Sequence, residues 1–187
     1  MNHDRSNRVC PVENAGGLDN GIRKFLQNPR KILSPYVKAG MTVLDVGCGP
    51  GVFSIEMARM VGTSGRVIAA DLQDGMLEIV KRKIKGTEAE KIVGIHKCLS
   101  DRIGVTDKVD FALAFYIIHE VPDQASFFKE LHEILKPNGS LLIVEPKVHV
   151  SRSGFEEMLK LVRSLHFEVA ERPKVFFSRV AMLRRLA

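Results

Sequence analysis

The sequence has no tryptophan, only two tyrosines and only three cysteines. Cys10, Cys48 and Cys98 are far apart and form no Cys-x-x-Cys pair, so the pattern predicts neither a disulfide scaffold nor a zinc ribbon. Residues 1–8 are polar and charged, unlike a secretory signal sequence. The longest apolar run, residues 111–118, is too short to span a membrane. We therefore expect a cytoplasmic protein with reduced cysteines and no membrane span.

The composition is that of an ordinary globular domain. Of 187 residues, 45% are hydrophobic and 27% are charged, which excludes a disordered chain. There are 28 Lys and Arg against 22 Asp and Glu, a formal charge of +6, which permits weak contact with anions. These charges are spread along the chain without a long block, so they do not indicate a dedicated nucleic-acid surface.

Short apolar strands alternate with helical patterns from residue 41 onward. The strands are continuously apolar, which is typical of a parallel sheet covered by helices on both faces, so we expect an α/β doubly wound fold. The pattern predicts strands near 42–46, 66–70, 92–95, 109–115, 141–144, 167–170 and 180–184. It predicts helices near 29–37, 52–61, 76–84, 127–135 and 155–165, with Pro137-Asn138-Gly139 closing the fourth helix.

A glycine loop follows the first predicted strand. In Val43-Leu44-Asp45-Val46-Gly47-Cys48-Gly49-Pro50-Gly51, glycines occupy every second position, where they allow a tight turn and close approach of a ligand. The sixth residue from Gly47 is Val52, so the dinucleotide pattern Gly-x-Gly-x-x-Gly fails and a nicotinamide dehydrogenase is disfavoured. The loop has no lysine, which excludes a P-loop. Asp45 instead suits a cationic ligand, and a plain glycine-rich turn is the alternative.

A second acidic residue ends the second predicted strand. Asp71 is placed to accept hydrogen bonds from both hydroxyls of a ribose, and Leu72 to pack on an adenine face. The alternative for Asp71 is a carboxylate that stabilises the N-terminus of the next helix.

These segments, over about residues 30 to 187, resemble the class I S-adenosylmethionine-dependent methyltransferases. The resemblance is to the group that includes the ubiquinone and menaquinone methyltransferases and many small-molecule enzymes. It is carried by residues 43–51, by Ala70-Asp71-Leu72 with Met76-Leu77, by residues 110–121, and by Leu135-Lys136-Pro137-Asn138-Gly139-Ser140-Leu141.

The resemblance implies a Rossmann-like, doubly wound, seven-stranded sheet, mostly parallel with the last strand antiparallel. It implies S-adenosylmethionine as cofactor, with the loop glycines at its methionine part, Asp71 at its ribose and Asp101 near its adenine amino group. The cofactor-binding residues that it implies are Asp45, Gly47, Cys48, Gly49, Gly51, Asp71, Leu72, Met76, Ser100 and Asp101.

The candidates for acceptor chemistry follow the fourth strand. Tyr116 and His119 are one helical turn apart, and with Glu120 they form the predicted catalytic set. The alternative is that His119 and Glu120 only cap local backbone groups. Glu145, at the end of the fifth strand, is either a further acidic candidate or a partly exposed carboxylate beside Lys147.

Other methyltransferase classes lack their motifs here. There is no Asn/Asp-Pro-Pro-Tyr/Phe after the fourth strand and no Pro-Cys nucleophile, so we expect no DNA partner, and no RNA-binding module fits in the chain. If Cys10, Cys48 and Cys98 converged, a metalloid acceptor would be the alternative, but their spacing favours structural thiols and no metal site is predicted.

We therefore expect residues 31–187 to form a methyltransferase domain that acts on a small molecule, with residues 1–30 as a lid over the site. A catalytically silent S-adenosylmethionine-binding or partner-binding module is the alternative. The acceptor and its methylated atom stay open, and a homodimer is compatible with the sequence.

Overall fold

The computed structural model describes residues 27–186, and within them seven strands form one sheet in the order β3-β2-β1-β4-β5-β7-β6. The strands are β1 Thr42–Val46, β2 Arg66–Asp71, β3 Val93–Lys97, β4 Val109–Phe115, β5 Leu135–Pro146, β6 Phe167–Glu171 and β7 Ser178–Arg185. The α-helices are α1 Pro29–Leu33, α2 Val52–Val61, α3 Asp74–Ile84, α4 Ala89–Ile92, α5 Gln124–Ile134 and α6 Arg152–Ser164, and a 3₁₀ turn spans Ile118–Glu120.

The first five strands run parallel, and β7 runs antiparallel to its neighbours β5 and β6. The predicted fold class, including the antiparallel last strand, is therefore confirmed. Strand order reverses between β1 and β4, so the carboxyl ends of these two strands border a crevice. In open α/β sheets, ligands bind at this kind of crevice.

Each face of the sheet carries its own hydrophobic core. On one face Leu44 and Ala112 pack with α5 and α6, which contribute Phe128 and Leu159. On the other face Val43 and Phe111 belong to the core that includes residues of α1, α2 and α3. Because successive strand residues point to opposite faces and both faces are covered, the central strands are apolar at nearly every position.

Two predicted helix ends differ from the structure. The first helix ends at Leu33 with Ser34 as its C-cap, not at Val37, because Pro35 has no N–H to donate to the preceding turn of the helix. The fourth predicted helix, α5, ends at Ile134, because Leu135 is extended, fully buried and paired with Val109 of β4. Pro137-Asn138-Gly139 therefore lies within β5, where Asn138 has a φ of 63°.

No helix in the described range 27–186 is long and apolar enough to cross a membrane. The predicted lid and Cys10 fall almost entirely on residues 1–26, which lie outside the described residues.

Candidate active site

A large cavity opens at the carboxyl ends of β1, β2, β3 and β4. Its volume is about 1010 Å³, at the upper end of the roughly 300–1,000 Å³ typical of ligand pockets. One half is bordered by the residues that follow β1, β2 and β3, and we call it the nucleoside half. The other half is bordered by the residues that follow β4 together with Phe53 and Phe127, and we call it the aromatic half.

The three loop glycines share a positive φ but differ in what a side chain at each position would contact. All have positive φ, at 70° for Gly47, 52° for Gly49 and 79° for Gly51. A Cβ at Gly47 would lie 2.7 Å from Ile117 Cγ1, and one at Gly51 would lie 2.9 Å from Val80 Cγ2. A Cβ at Gly49 would meet nothing within 4 Å. Gly47 and Gly49 line the cavity, whereas Gly51 lies outside its lining and packs on α3.

Asp71 joins the tip of β2 to the glycine loop. Its Oδ2 accepts a hydrogen bond from Gly49 N at 2.8 Å, and its Oδ1 accepts one from Gln73 N at 2.8 Å. The carboxyl lies in the cavity wall and is largely buried, which raises its pKa, while the backbone N–H groups oppose this rise. Each oxygen keeps a second lone pair, so the carboxylate can also accept bonds from a ligand.

Asp45 lies deeper beside the same loop and is only 2% exposed. Ser54 Oγ donates to its Oδ2 at 2.5 Å. Burial raises the pKa of Asp45 to about 7, a rise that the Ser54 hydrogen bond opposes and the charge of Asp71 strengthens. Its charge therefore changes near neutral pH, and a cation in the cavity would favour the ionised form.

The remaining nucleoside wall comes from the segments after β2 and β3. Leu72, Met76, Ser100 and Asp101 all line the cavity, as does Cys48. The loop after β3 is held from α5 by a residue that the sequence reading missed. Glu130 accepts hydrogen bonds from Ile103 N at 2.7 Å and Gly104 N at 2.6 Å, and no local pattern links it to a loop 26 residues away.

The two described cysteines are buried free thiols. Burial raises the pKa of Cys98 to about 12 and raises that of Cys48 well above its usual range, so both stay protonated at neutral pH. Across residues 27–186, no group of three or more His, Cys, Asp or Glu is arranged to hold a metal ion.

The aromatic half is built around the residues that follow β4. The ring of Phe115 lies 4.3 Å from that of Phe53 and 4.5 Å from that of Tyr116, between ring centroids. Tyr116 has a φ of 61°, which turns the chain sharply at the end of β4. Its hydroxyl shares a hydrogen bond of 2.7 Å with Ser178 Oγ and also bonds Gln27 Nε2. The result is a packed, largely apolar wall with one anchored hydroxyl.

His119 lies behind this wall. The left-handed turn at Tyr116 and the following 3₁₀ turn replace the expected helical face, so Tyr116 and Glu120 line the cavity and His119 does not. His119 Nδ1 lies 2.6 Å from Glu145 Oε2, and its ring stacks on His149 with centroids 5.2 Å apart. The hydrogen bond to Glu145 is the main cause of the raised pKa of His119.

Glu145 is fully buried, which contradicts the expectation of a partly exposed carboxylate beside Lys147. Besides His119, it accepts a hydrogen bond from Ile118 N at 3.0 Å. The carboxylate thus ties the end of β5 to the turn that carries Ile117 and Glu120. The sequence gives no signal for this link, because the partners are 26 and 27 residues apart and become neighbours only through the pairing of β4 with β5.

Comparison with known proteins gives consistent results. Residues 37–174 match a family model described as a methyltransferase domain. A demethylmenaquinone methyltransferase from Lactobacillus johnsonii is 32% identical over 169 residues, which are 85% of this chain and 67% of that protein. One from Lactococcus lactis is 33% identical over 130 residues, 66% of this chain and 50% of that protein. The chain therefore spans between half and two thirds of these two relatives.

A solved structure of a SAM-dependent methyltransferase from Aquifex aeolicus has a TM-score of 0.80 and 28% identity, and the match covers 93% of this chain and 99% of that one. These similarities confirm the predicted family, the cofactor S-adenosylmethionine and methyl transfer to a small-molecule acceptor. They favour an enzyme over the silent module. The family match, the seven-stranded sheet and the glycine-loop cavity lead to one conclusion: the chain belongs to the methyltransferase domain family and is a class I S-adenosylmethionine-dependent methyltransferase.

Proposed function

We propose that the acceptor is a planar, apolar ring compound, the reduced form of a demethylated naphthoquinone such as the demethylmenaquinone for which the relatives are named. The observation that carries this proposal is the aromatic half of the cavity. Phe53, Phe115 and Tyr116 form a continuous ring surface, and Phe127 also lines the cavity. Aromatic rings stack on such surfaces, and the polar residues that line the cavity nearby, among them Gln27, Glu120 and Ser126, can orient a ring through hydrogen bonds.

The nucleoside half fits the cofactor, and we propose these roles for its residues. Gly49 leaves open space where its Cβ would be, so a ligand can approach the loop backbone. Asp45 would face the cationic end of the methionine part, and Asp71 would accept the ribose hydroxyls with its second lone pairs. Leu72 and Met76 would contact the adenine faces, with Ser100 and Asp101 at its edge. The bound cofactor supplies a methyl group on a sulfonium, whose leaving group is a neutral thioether.

In this reaction the protein aligns the acceptor, excludes water from the site and accepts one proton. A ring carbon of the acceptor forms the bond to the methyl group as the methyl–sulfur bond breaks, and that carbon must then lose its proton. We propose Glu120 as the proton acceptor, because this acidic residue lines the aromatic half. Tyr116, anchored by Ser178, would fix the acceptor through its hydroxyl, and the phenylalanines would exclude water. His119 acts from behind the wall through Glu145 and does not touch the acceptor in this proposal.

The test is turnover of a defined acceptor. The purified chain, S-adenosylmethionine with a labelled methyl group and a short-chain demethylmenaquinol should give the ring-methylated product, detected by mass spectrometry. Glu120→Gln should lower kcat by roughly 10²–10⁴-fold, while Glu78→Gln, at an exposed ion pair with Lys81, should not. Absence of product from the quinol under conditions where S-adenosylhomocysteine binds would overturn the proposed acceptor and leave the family assignment intact.

We also propose that residues 1–30 form a lid. Residues 1–30 would cover the cavity when both ligands are bound, and the support is Gln27, which lines the cavity and bonds Tyr116. Hydrogen exchange should show more protection of amides 12–21 with S-adenosylhomocysteine than without it. Equal protection would contradict a closing lid.

We further propose a cytoplasmic protein without a nucleic-acid partner, supported by two free cysteines and by charges spread over the chain. The homodimer stays a prediction that sedimentation of the purified chain would decide.

A further inference from the structure

Exposed apolar side chains are concentrated at one edge of the sheet. Among residues 27–186, the exposed large hydrophobic residues are Leu72, Leu99, Val148, Phe176, Phe177 and Leu186. The first two line the cavity after β2 and β3. Val148 follows the carboxyl end of β5, and Phe176 and Phe177 precede the start of the antiparallel β7. Five of the six therefore lie at the edge where the cavity opens, and Leu186, beyond the end of β7, lies at the opposite edge.

The residues after β5 and before β7 form one continuous surface. Pro146 pairs with Ser178, and Lys147 N donates to Phe177 O at 3.2 Å, so the two segments run side by side beyond the sheet. Val148 is 68% exposed, Phe176 57% and Phe177 55%. The rings of the two phenylalanines lie 6.2 Å apart between centroids. We name the surface of Lys147, Val148, Lys174, Phe176 and Phe177 the docking patch.

The patch carries two exposed cations, Lys147 and Lys174. Their nearest acidic residues in sequence are Glu145, which is fully buried and bonds His119, and Glu171, which bonds Tyr36. The neighbouring Arg172 is paired with Glu156 at 2.5 Å, whereas neither Lys147 nor Lys174 has an ion pair within the described part of the chain. Exposed phenylalanines beside free lysines are the combination that binds the interface of an anionic bilayer, where rings enter the boundary of the acyl chains and ammonium groups meet phosphates.

The patch is also connected to the cavity. Gln27 Nε2 donates to Phe176 O at 3.2 Å, and Ser178 bonds both Phe176 O and the Tyr116 hydroxyl, so the patch backbone adjoins the aromatic half of the cavity. We propose that the docking patch binds the surface of an anionic lipid membrane and turns the cavity opening toward it. This inference rests on the proposed function, because membrane binding would bring the cavity to an apolar acceptor dissolved in the bilayer. Its test needs no acceptor, so the two can fail separately.

The experiment is co-sedimentation of the full chain with vesicles at low ionic strength. Vesicles of phosphatidylcholine mixed with phosphatidylglycerol should bind the chain, and vesicles of phosphatidylcholine alone should bind it weakly. Replacing both rings, Phe176→Ser with Phe177→Ser, should weaken binding by at least about tenfold. Lys147→Gln and Lys174→Gln should each weaken it by about fivefold. These side chains are mostly exposed, and an unchanged melting temperature would show that the variants fold.

Leu186→Ser is the matched control, since it removes an exposed apolar side chain at the opposite edge of the sheet. It should bind anionic vesicles as the unchanged chain does. The proposal is overturned if the unchanged chain ignores anionic vesicles, if the double serine variant binds them as well, or if Leu186→Ser weakens binding equally. It is also overturned if sedimentation in the absence of lipid shows a dimer that the double serine variant dissociates, because the patch would then bind a second copy.

Discussion

The two halves of the cavity are held in place by different means. In the nucleoside half, backbone geometry prevails: glycines with positive φ turn the loop, and the Asp71 carboxylate is fixed by two backbone N–H groups. In the aromatic half, side chains hold one another across long sequence separations. Tyr116 bonds Ser178, 62 residues away, and His119 bonds Glu145, 26 residues away. The first half can thus serve one shared cofactor, while the second can change with the acceptor.

We expect the largest loss of stability from a substitution at Gly47, where the glycine loop of the nucleoside half contacts Ile117 of the aromatic half. In Gly47→Ala, the new Cβ would lie 2.7 Å from Ile117 Cγ1, and φ would stay near 70°. Backbone strain costs roughly 1–2 kcal/mol and overpacking about 1–3 kcal/mol. We expect the free energy of unfolding to fall by about 2–5 kcal/mol in chemical denaturation.

Gly86→Ala is the control for this change. Gly86 is exposed with a φ of 73°, and its Cβ would meet nothing within 4 Å, so only the backbone strain of roughly 1–2 kcal/mol should remain. Equal destabilisation by the two alanines would mean that the contact between the loop and Ile117 contributes nothing.

The difference in construction explains what the sequence could predict. Glycine at every second position after an apolar strand, and an aspartate at the tip of the next strand, are local patterns; Gly47, Gly49 and Asp71 line the cavity, whereas Gly51 does not. The link from Glu145 to Ile118 and His119, the anchoring of Tyr116 by Gln27, and the contact of Glu130 with the loop after β3 are not local. They exist because the sheet order brings distant segments together, and that order is not contained in any short motif. The left-handed backbone conformation of Tyr116 could not be predicted from the sequence either, because tyrosine rarely adopts it.

Asp71→Ala should damage the nucleoside half alone. Loss of the carboxylate removes charge-assisted hydrogen bonds and the bond that holds Gly49 N. We expect the binding free energy of S-adenosylhomocysteine to weaken by about 1.5–3 kcal/mol in titration calorimetry. Asp107→Ala, which removes an exposed partner of Arg66 outside this cavity, should leave binding unchanged. Equal affinities of the two variants would place the ribose contact elsewhere.

Glu145→Gln should damage the aromatic half alone. The amide cannot match both donors as the carboxylate does, so the turn at Ile118–Glu120 should lose its position. We expect kcat to fall by up to about 100-fold while the affinity for S-adenosylhomocysteine stays unchanged. A parallel loss of cofactor affinity would contradict the separation of the halves.

The pair of His119 and Glu145 also makes the stability of the protein depend on pH, and the raised pKa of His119 fixes the direction. The folded pKa of His119 is raised, so its contribution to stability is fully present below the unfolded value of about 6.5 and is lost as pH rises through the folded pKa. The melting-temperature difference between the unchanged chain and Glu145→Gln should therefore shrink as pH rises above about 6.5. A difference that is constant with pH would show that the pair is not charged in the folded protein.

The smallest effect concerns Asp45. Its pKa is raised to about 7, so without ligand its contribution to stability is present below its usual range and is lost as pH rises through about 7. Cofactor binding has the opposite pH dependence, because the ammonium group of the ligand prefers the ionised carboxylate. Affinity for S-adenosylhomocysteine should rise by less than about tenfold between about pH 6 and 8. Ser54→Ala, which removes a bond to the carboxylate, should move the midpoint upward; an affinity independent of pH would exclude Asp45 from the site.

The most direct test of the division between the halves is a crystal structure of the chain with S-adenosylhomocysteine. We expect ribose hydroxyls within hydrogen-bond distance of Asp71 and the homocysteine part against Gly47 and Gly49. The sulfur should be directed toward Phe115 and Tyr116, with the aromatic half left open for the acceptor. An adenosine stacked in the aromatic half, or a ribose without contact to Asp71, would contradict this division.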